Sequence, residues 1–317
     1  MKLKDIYRLA IQMGMDADPR GRAAAEAELE AARKAYDKLA EDEKDLFDMD
    51  SLQNPYGDSR ILNGDPEAEI HRALVGIEME IGELLLAAEL NRQGMGIDLV
   101  FAHHPEGGAL VNLAKVMPLQ GDRLEQLGIR PAEATGVMKT RIGAVNRSVG
   151  VNNSYRACDA ARLLNLNFIC LHTVCDNMVN TFLTQYLEKE APDTLDDLCK
   201  ALLAVPEYRA SAKGNNPPRI DVGEKTGKVG KIYVDFTGGT SGPKEAYKKL
   251  AESGVNTVIS MHNTEDQIKT AKEIHLNLVC AGHIASDSIG LNLLLDALEK
   301  EGLEIVPVSG LIRVKRS

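Results

Sequence analysis

The chain has 317 residues and a formal net charge of −10, which is long enough for about two domains with ample core and too acidic for a duplex nucleic-acid binder or an anionic membrane surface. Met1-Lys2-Leu3-Lys4-Asp5 does not open a signal peptide, and no apolar run approaches membrane-spanning length. The five cysteines (Cys158, Cys170, Cys175, Cys199 and Cys280) are odd in number and form no Cys-x-x-Cys pair, which predicts a cytoplasmic protein with neither a disulfide framework nor a zinc–thiolate knot.

Residues 1–50 read as helix. From Arg22 to Glu43 the chain is rich in Ala, Glu and Lys, with Leu29, Ala32, Tyr36 and Leu39 near helical spacing, as in an amphipathic helix packing on the body or on a partner subunit. Loop residues follow from Asn54 to Asp65, around a short edge strand at Arg60-Ile61-Leu62; Asp58 and Asp65 could line a cleft, though turn capping explains both. Ala73 to Glu78 alternates as a strand that brings Glu78 near His103, and Glu80 to Arg92 is helical. Leu99-Val100-Phe101-Ala102 is the next strand, so a βαβ unit with a parallel pair is expected. Glu106-Gly107-Gly108 is a flexible turn placed to cap whatever lies there. Arg141, Arg147, Arg156 and Arg162, opposed only by Asp159, serve either an anionic substrate such as a phosphate or pair with acids elsewhere in the fold.

Met178 to Glu190 and Pro192 to Val205 read as helices, and Ala212 to Pro218 as the clearest linker. A second α/β unit follows: strand Lys231 to Phe236, glycine turn Thr237 to Pro243, helix Lys244 to Ser253, strand Thr257 to His262 and helix Gln267 to His275. Such a strand–glycine–helix junction can cradle a phosphate on backbone amides, but the turn is neither G-x-G-x-x-G nor a Walker loop, so tight strand-to-helix packing is the safer reading. His262, at a strand end, enters the site or the interface between lobes. Helix Leu291 to Glu301 and strand Glu304 to Ser309 close the chain, and there is no repeat of fixed short period. The division expected is a first lobe over 1–212, a second α/β lobe over 213–280, and a segment over 281–317 returning to the first lobe.

Three strand ends carry metal-binding residue types. The first ends in His103-His104-Pro105, where Pro105 keeps the backbone extended. His172 and Asp176 follow the strand Asn167 to Leu171, and His283 and Asp287 follow Leu276 to Ala281, each pair at i,i+4 and therefore on one helix face. Ligands in open α/β sheets collect at the carboxyl ends of strands. His-His with two His-x-x-x-Asp pairs predicts a site that chelates one ion or bridges two. Imidazole and carboxylate donors suit iron, manganese, zinc or nickel without choosing among them.

Together these motifs, Asp98 to Pro105, His172 to Asp176 and Ala281 to Asp287, resemble the NIF-three-like (YbgI-type) dinuclear metal proteins, often labelled GTP cyclohydrolase 1 type 2 homologues. The likeness runs from about Ala73 to Val308. It implies an α/β subunit of two lobes, with mixed or parallel sheets flanked by helices, that assembles into a homohexameric ring. It also implies two divalent metal ions held by His103, His104, Asp176, His283 and Asp287, with His172 beside them as proton shuttle or substrate contact. In the arrangement expected, His103 and His283 hold one ion, His104 and Asp176 the other, and Asp287 bridges. Asp287 stands where the family usually has Glu, and the family's Trp-Asp-containing start is missing. Two functions follow. One is a metal-dependent hydrolase acting on a small molecule, a nucleotide by the family's label, although aromatics are only 4% of the chain and offer few platforms for a base. The other is a non-catalytic ring that stores, carries or senses metal.

Overall fold

The computed structural model describes residues 1–316. Among them are the strands β1 (Ser59–Asn63), β2 (Arg72–Gly76), β3 (Leu99–Ala102), β4 (Asn167–Leu171), β5 (Arg219–Val222), β6 (Ile232–Asp235), β7 (Thr257–Ser260), β8 (Asn277–Cys280) and β9 (Glu304–Pro307). They form two sheets, ordered β1-β4-β3-β2-β9 and β5-β8-β7-β6. In each sheet the first strand is antiparallel and the others are parallel. Ala73-Leu74-Val75, Leu99 to Ala102 and Phe168 to Leu171 are buried on both faces, so these strands read as unbroken apolar runs. Helices Ile81–Arg92, Pro131–Gly150, Arg156–Leu163, Lys244–Glu252 and Glu265–Glu273 make the crossovers that parallel pairing requires. The expected α/β architecture with two sheets flanked by helices is thus what the chain adopts.

The two sheets share one topology, an antiparallel edge strand followed by three parallel strands, to which β9 adds a fourth in the first sheet. Registers pair Ala102 with Cys170 in the first sheet and Ser260 with Cys280 in the second. Asn165 and His275, two residues ahead of β4 and β8, both take positive φ (54° and 55°). A side chain on Gly64 would run into Asn167, as one on Gly223 would into Asn277. This long repeat is invisible to a search for short periods because it conserves backbone path rather than residues. The sequence reading also missed β5, whose Arg219-Ile220-Asp221-Val222 lies just beyond the linker.

Helices Thr173–Glu190 and His283–Lys300 follow β4 and β8 and pack on one another. Both start earlier than periodicity predicts. Asp176, Asn177 and Asn180 on one, and Ser286, Asp287, Ser288 and Asn292 on the other, are buried. Buried polar residues erase the apolar stripe by which a helix is recognised. The two helices touch where Gly290 has no side chain: a Cβ there would collide with the Cys175 carbonyl oxygen. Helix Leu3–Asp16 packs on the first of these, with Gly14 against Val174. Helix Arg22–Asp37, by contrast, is largely exposed and ends before Glu43. It is tied down through the nearly inaccessible Arg20 side chain, which pairs with Asp18, Glu28 and Asp122.

Two glycines give opposite expectations. Gly290→Ala forces the two buried helices apart and should cost about 1–3 kcal/mol, as overpacking does. Gly136→Ala, on the exposed face of Pro131–Gly150 with nothing within 4 Å, should stabilise by about 0.5–1 kcal/mol. Urea denaturation of both variants beside wild type reads the two signs.

Candidate metal centre

The backbone of His103 and His104 continues the ladder beyond β3. His103 N donates to Gly76 O at 3.0 Å and His104 N to Ile77 O at 2.9 Å, so the pair stays extended. Successive side chains therefore diverge. His103 is fully buried, and its Nδ1 lies 3.3 Å from the Leu171 carbonyl oxygen at the end of β4. His104 leans the other way, with Nδ1 against the Glu78 carboxylate. In both rings the Nδ1 partner leaves Nε2 as the free lone pair, the arrangement that orients a ligating imidazole.

His172 caps helix Thr173–Glu190 and its Nδ1–H donates to Asp58 Oδ2 at 2.8 Å, while Asp176 enters one turn on. Gly282, at φ 106°, turns the chain out of β8 so that helix His283–Lys300 begins with His283 and carries Asp287 one turn in. The i,i+4 geometry holds in both: His172 Nε2 lies 3.7 Å from Asp176 Oδ2, and His283 Nε2 lies 3.5 Å from Asp287 Oδ2.

Ligating atoms converge in three overlapping groups, each within 4.8 Å: His103, His104 and His172; His104, His283 and Asp287; His103, Asp176 and Asp287. All five residues assigned by resemblance, and His172, thus come together. The pairing differs from the expected one, because His103 joins Asp176 and His104 joins His283. Divergence at the strand end is the reason: His103 is turned toward β4 and the helix after it, and His104 toward the start of the other helix. Asp287 belongs to both carboxylate-containing groups.

The site's electrostatics fit a missing cation. Among the described residues, His103 Nε2, Asp176 Oδ1 and both Asp287 oxygens are buried with no hydrogen-bond partner. Orphaned buried polar atoms cost about 1–3 kcal/mol each, more when charged. Their mutual distances, His103 Nε2 to Asp176 Oδ1 at 3.4 Å, His103 Nε2 to Asp287 Oδ1 at 3.5 Å and His104 Nε2 to Asp287 Oδ2 at 3.3 Å, are too long for charge-assisted hydrogen bonds. They are what lone pairs facing a common centre show. With protons as the only cations, burial lowers the His103 pKa, but Asp287 and Asp176 outweigh it and hold it well above its ordinary value. In His104, burial is overcome by Asp287 and Glu78, and the pKa is pushed up to about 9. Burial would raise Asp287, yet His103 and His104 hold it well below the usual carboxylate range. His283, lowered chiefly by burial, stays a neutral donor. The residues present suit a divalent ion on imidazole nitrogen and carboxylate oxygen.

A cavity of about 410 Å³ opens beside the cluster, lined by His104, His172, Asp176, His283 and Asp287 and also by Arg141, Ser241 and His262 among others. Of the four arginines singled out, Arg141 alone reaches it: Arg147 and Arg156 are exposed, and Arg162 pairs with Asp159 at the surface. His262 does enter the site, its ring 5.0 Å from that of His283. Glu106-Gly107-Gly108 is no flexible cap. Gly107 begins helix Gly107–Val111, with its N–H donating to Ser154 O and its Cα packed against Cys158. Asp58 is the residue whose part here sequence reasoning missed: fully buried, it accepts from His172 Nδ1 and, at 2.7 Å, from Thr173 Oγ1. Asp65 does cap a turn, accepting from Glu67 N. The buried cysteines are structural, Cys170 Sγ reaching the His103 carbonyl and Cys280 Sγ that of Met261.

No protein-family model matches the chain, and no curated protein does. Solved structures do. The crystal structure of a NIF3 superfamily protein from Sphaerobacter thermophilus superposes with a TM-score of 0.71 and 27% identity, covering 80% of this chain and 92% of that one. Reduced HcgD from Methanocaldococcus jannaschii shares the fold, with a TM-score of 0.50 and 15% identity over 78% of this chain and 87% of that one. Architecture and the strand-end motifs agree, and the chain is NIF3-like in fold, as its resemblance to the NIF-three-like (YbgI-type) proteins implies.

Proposed function

We propose that this protein is a metal-dependent hydrolase holding two divalent ions between His103, His104, Asp176, His283 and Asp287, and that its substrate is a nucleotide or related phosphorylated small molecule. The observation carrying this reading is the set of buried, unpartnered nitrogen and carboxylate atoms bordering a cavity of substrate size. Divalent ions so placed supply Lewis acidity and a water acidified for attack. The protein's own residues do the rest. Asp58 fixes His172 with Nδ1 protonated and Nε2 facing the cavity, where it takes up and returns a proton. Glu78 and the Leu171 carbonyl keep His104 and His103 in the ligating orientation. His262 sits at the cavity wall beside His283 as a further polar contact.

A second reading, a non-catalytic ring that stores or carries metal, draws on the exposed apolar side chains Ile81, Leu85 and Leu86 of helix Ile81–Arg92, a surface suited to self-assembly. Assembly into a homo-oligomer belongs to both readings, whereas turnover belongs to the first alone.

Elemental analysis of wild type, His104→Ala and Asp287→Ala, with hydrolysis assayed on a panel of nucleotides (GTP included) and phosphoesters, separates them. About two ions per chain in wild type, fewer in both variants, and activity lost in step support the hydrolase. Metal without turnover on any substrate favours the carrier, and a wild type that takes up no metal sinks both.

Asp58→Asn should keep the metal and lower kcat on the best substrate of that panel by about 10–100-fold, the usual cost of losing the carboxylate behind a site histidine. The acidic limb of the pH–rate profile should move with it. An unchanged profile would leave Asp58 a purely structural residue.

A further inference from the structure

The histidine–carboxylate cluster accounts for part of the cavity lining and leaves the wall around Arg141 unexplained. Arg141, from helix Pro131–Gly150, is held there by two contacts: Nη2 donates to Thr240 Oγ1 at 2.8 Å and Nε to Ser241 O at 3.3 Å. Among the described residues it has no carboxylate within ion-pair distance, although the chain is strongly acidic and Arg162 on the same stretch has found Asp159. A guanidinium carries five donors, and this one leaves several uncommitted in a partly enclosed space.

The loop that Arg141 contacts is built to present donors. Gly238 and Gly239 take φ of 95° and 81°, and a side chain on either would press on Gln120 or on Val116. Gln120 Nε2 donates to the carbonyls of Thr237, Gly238 and Thr240, which draws the loop's acceptors to the buried side. The N–H groups of Gly239, Ser241 and Gly242 have no backbone acceptor among the described residues. Tyr247, 1% exposed, lines the same cavity, and its hydroxyl has no partner. Burial, helped by Asp235, pushes its pKa up, so it remains a donor. Asp235 is the carboxylate on this wall, and burial raises its pKa against the pull of Arg123.

We propose that Arg141, the backbone from Gly239 to Gly242 and the Tyr247 hydroxyl form a subsite for a phosphoryl group of the substrate, joined to the metal-binding residues through His262, which meets Ser241 Oγ at 3.4 Å and the His283 ring at 5.0 Å. The inference rests on the hydrolase reading in taking the cluster as the reacting end. It gives the substrate's phosphoryl group binding residues of its own, distinct from the metal ligands. Convergent N–H donors and an arginine fork match the tetrahedral oxygens of that group.

The test uses the full chain stripped of metal with EDTA and titrated with inorganic phosphate by calorimetry, beside Arg141→Gln, Arg141→Lys and the surface control Arg162→Gln. Wild type and the control should bind phosphate equally. Arg141→Gln should weaken binding at least tenfold, and Arg141→Lys, which keeps the charge and loses the fork, should fall between. If Arg141→Gln does not fold, Thr240→Val, which removes the hydroxyl holding the guanidinium, should weaken binding at least threefold. No binding to wild type, or equal binding to every variant, overturns the subsite, as does acetate binding as tightly as phosphate. Metal content is measured on separate samples. Phosphate binding that depends on Arg141 in a protein that takes up no metal would keep the subsite and end the hydrolase reading.

Discussion

Two carboxylates, Asp176 and Asp287, are held side by side out of water, and the structure is arranged around the need to neutralise them. Ligating atoms in their group lie within 4.8 Å. At an effective dielectric of ~20 their repulsion is about 3–4 kcal/mol before desolvation is counted. The helices that carry them cannot move apart, because they lie in contact where Gly290 admits the Cys175 carbonyl. Only positive charge relieves the pair. His103, fully buried between them, and His104 at the rim supply it as imidazolium when protons are the only source, and as ligands when a divalent ion is present.

Hydrogen bonds then tie this cluster to the cavity wall. Asn177, next to Asp176, accepts from Thr237 Oγ1 at 2.6 Å, and Asn180, one turn on, accepts from Phe236 N at 3.3 Å. The helix that carries Asp176 is thereby fixed to the strand end that leads into the glycine loop. The histidine–carboxylate cluster and the glycine loop on the cavity wall are thus tied to one another by hydrogen bonds.

Much of this was legible in the sequence because its signals are local. Unbroken apolar runs mark the central strands, Pro105 keeps the His-His pair extended, and i,i+4 spacing puts His172 with Asp176 and His283 with Asp287. What stayed hidden depends on the third dimension. Asp58 reads as a turn residue because its partner His172 is 114 positions away. Apolar periodicity does not show that the last long helix starts at His283, because Ser286, Asp287 and Ser288 are polar yet buried. Which histidine faces which carboxylate follows from how two neighbouring rings splay at the end of a strand, and spacing says nothing of that.

The repeated topology carries a last consequence. Since Ala102 corresponds to Ser260 and Cys170 to Cys280 by register, His104 corresponds to His262, His103 to Met261, and the position of Asp287 to Asn177. The two His-x-x-x-Asp motifs are therefore offset by one residue, about 100° around a helix. The two halves share a strand order and each contributes one His-x-x-x-Asp pair, but in different registers. A repeated scaffold thus encloses an asymmetric cluster, backed by the buried Asp58 behind His172 and bordered by the cavity where His262 stands.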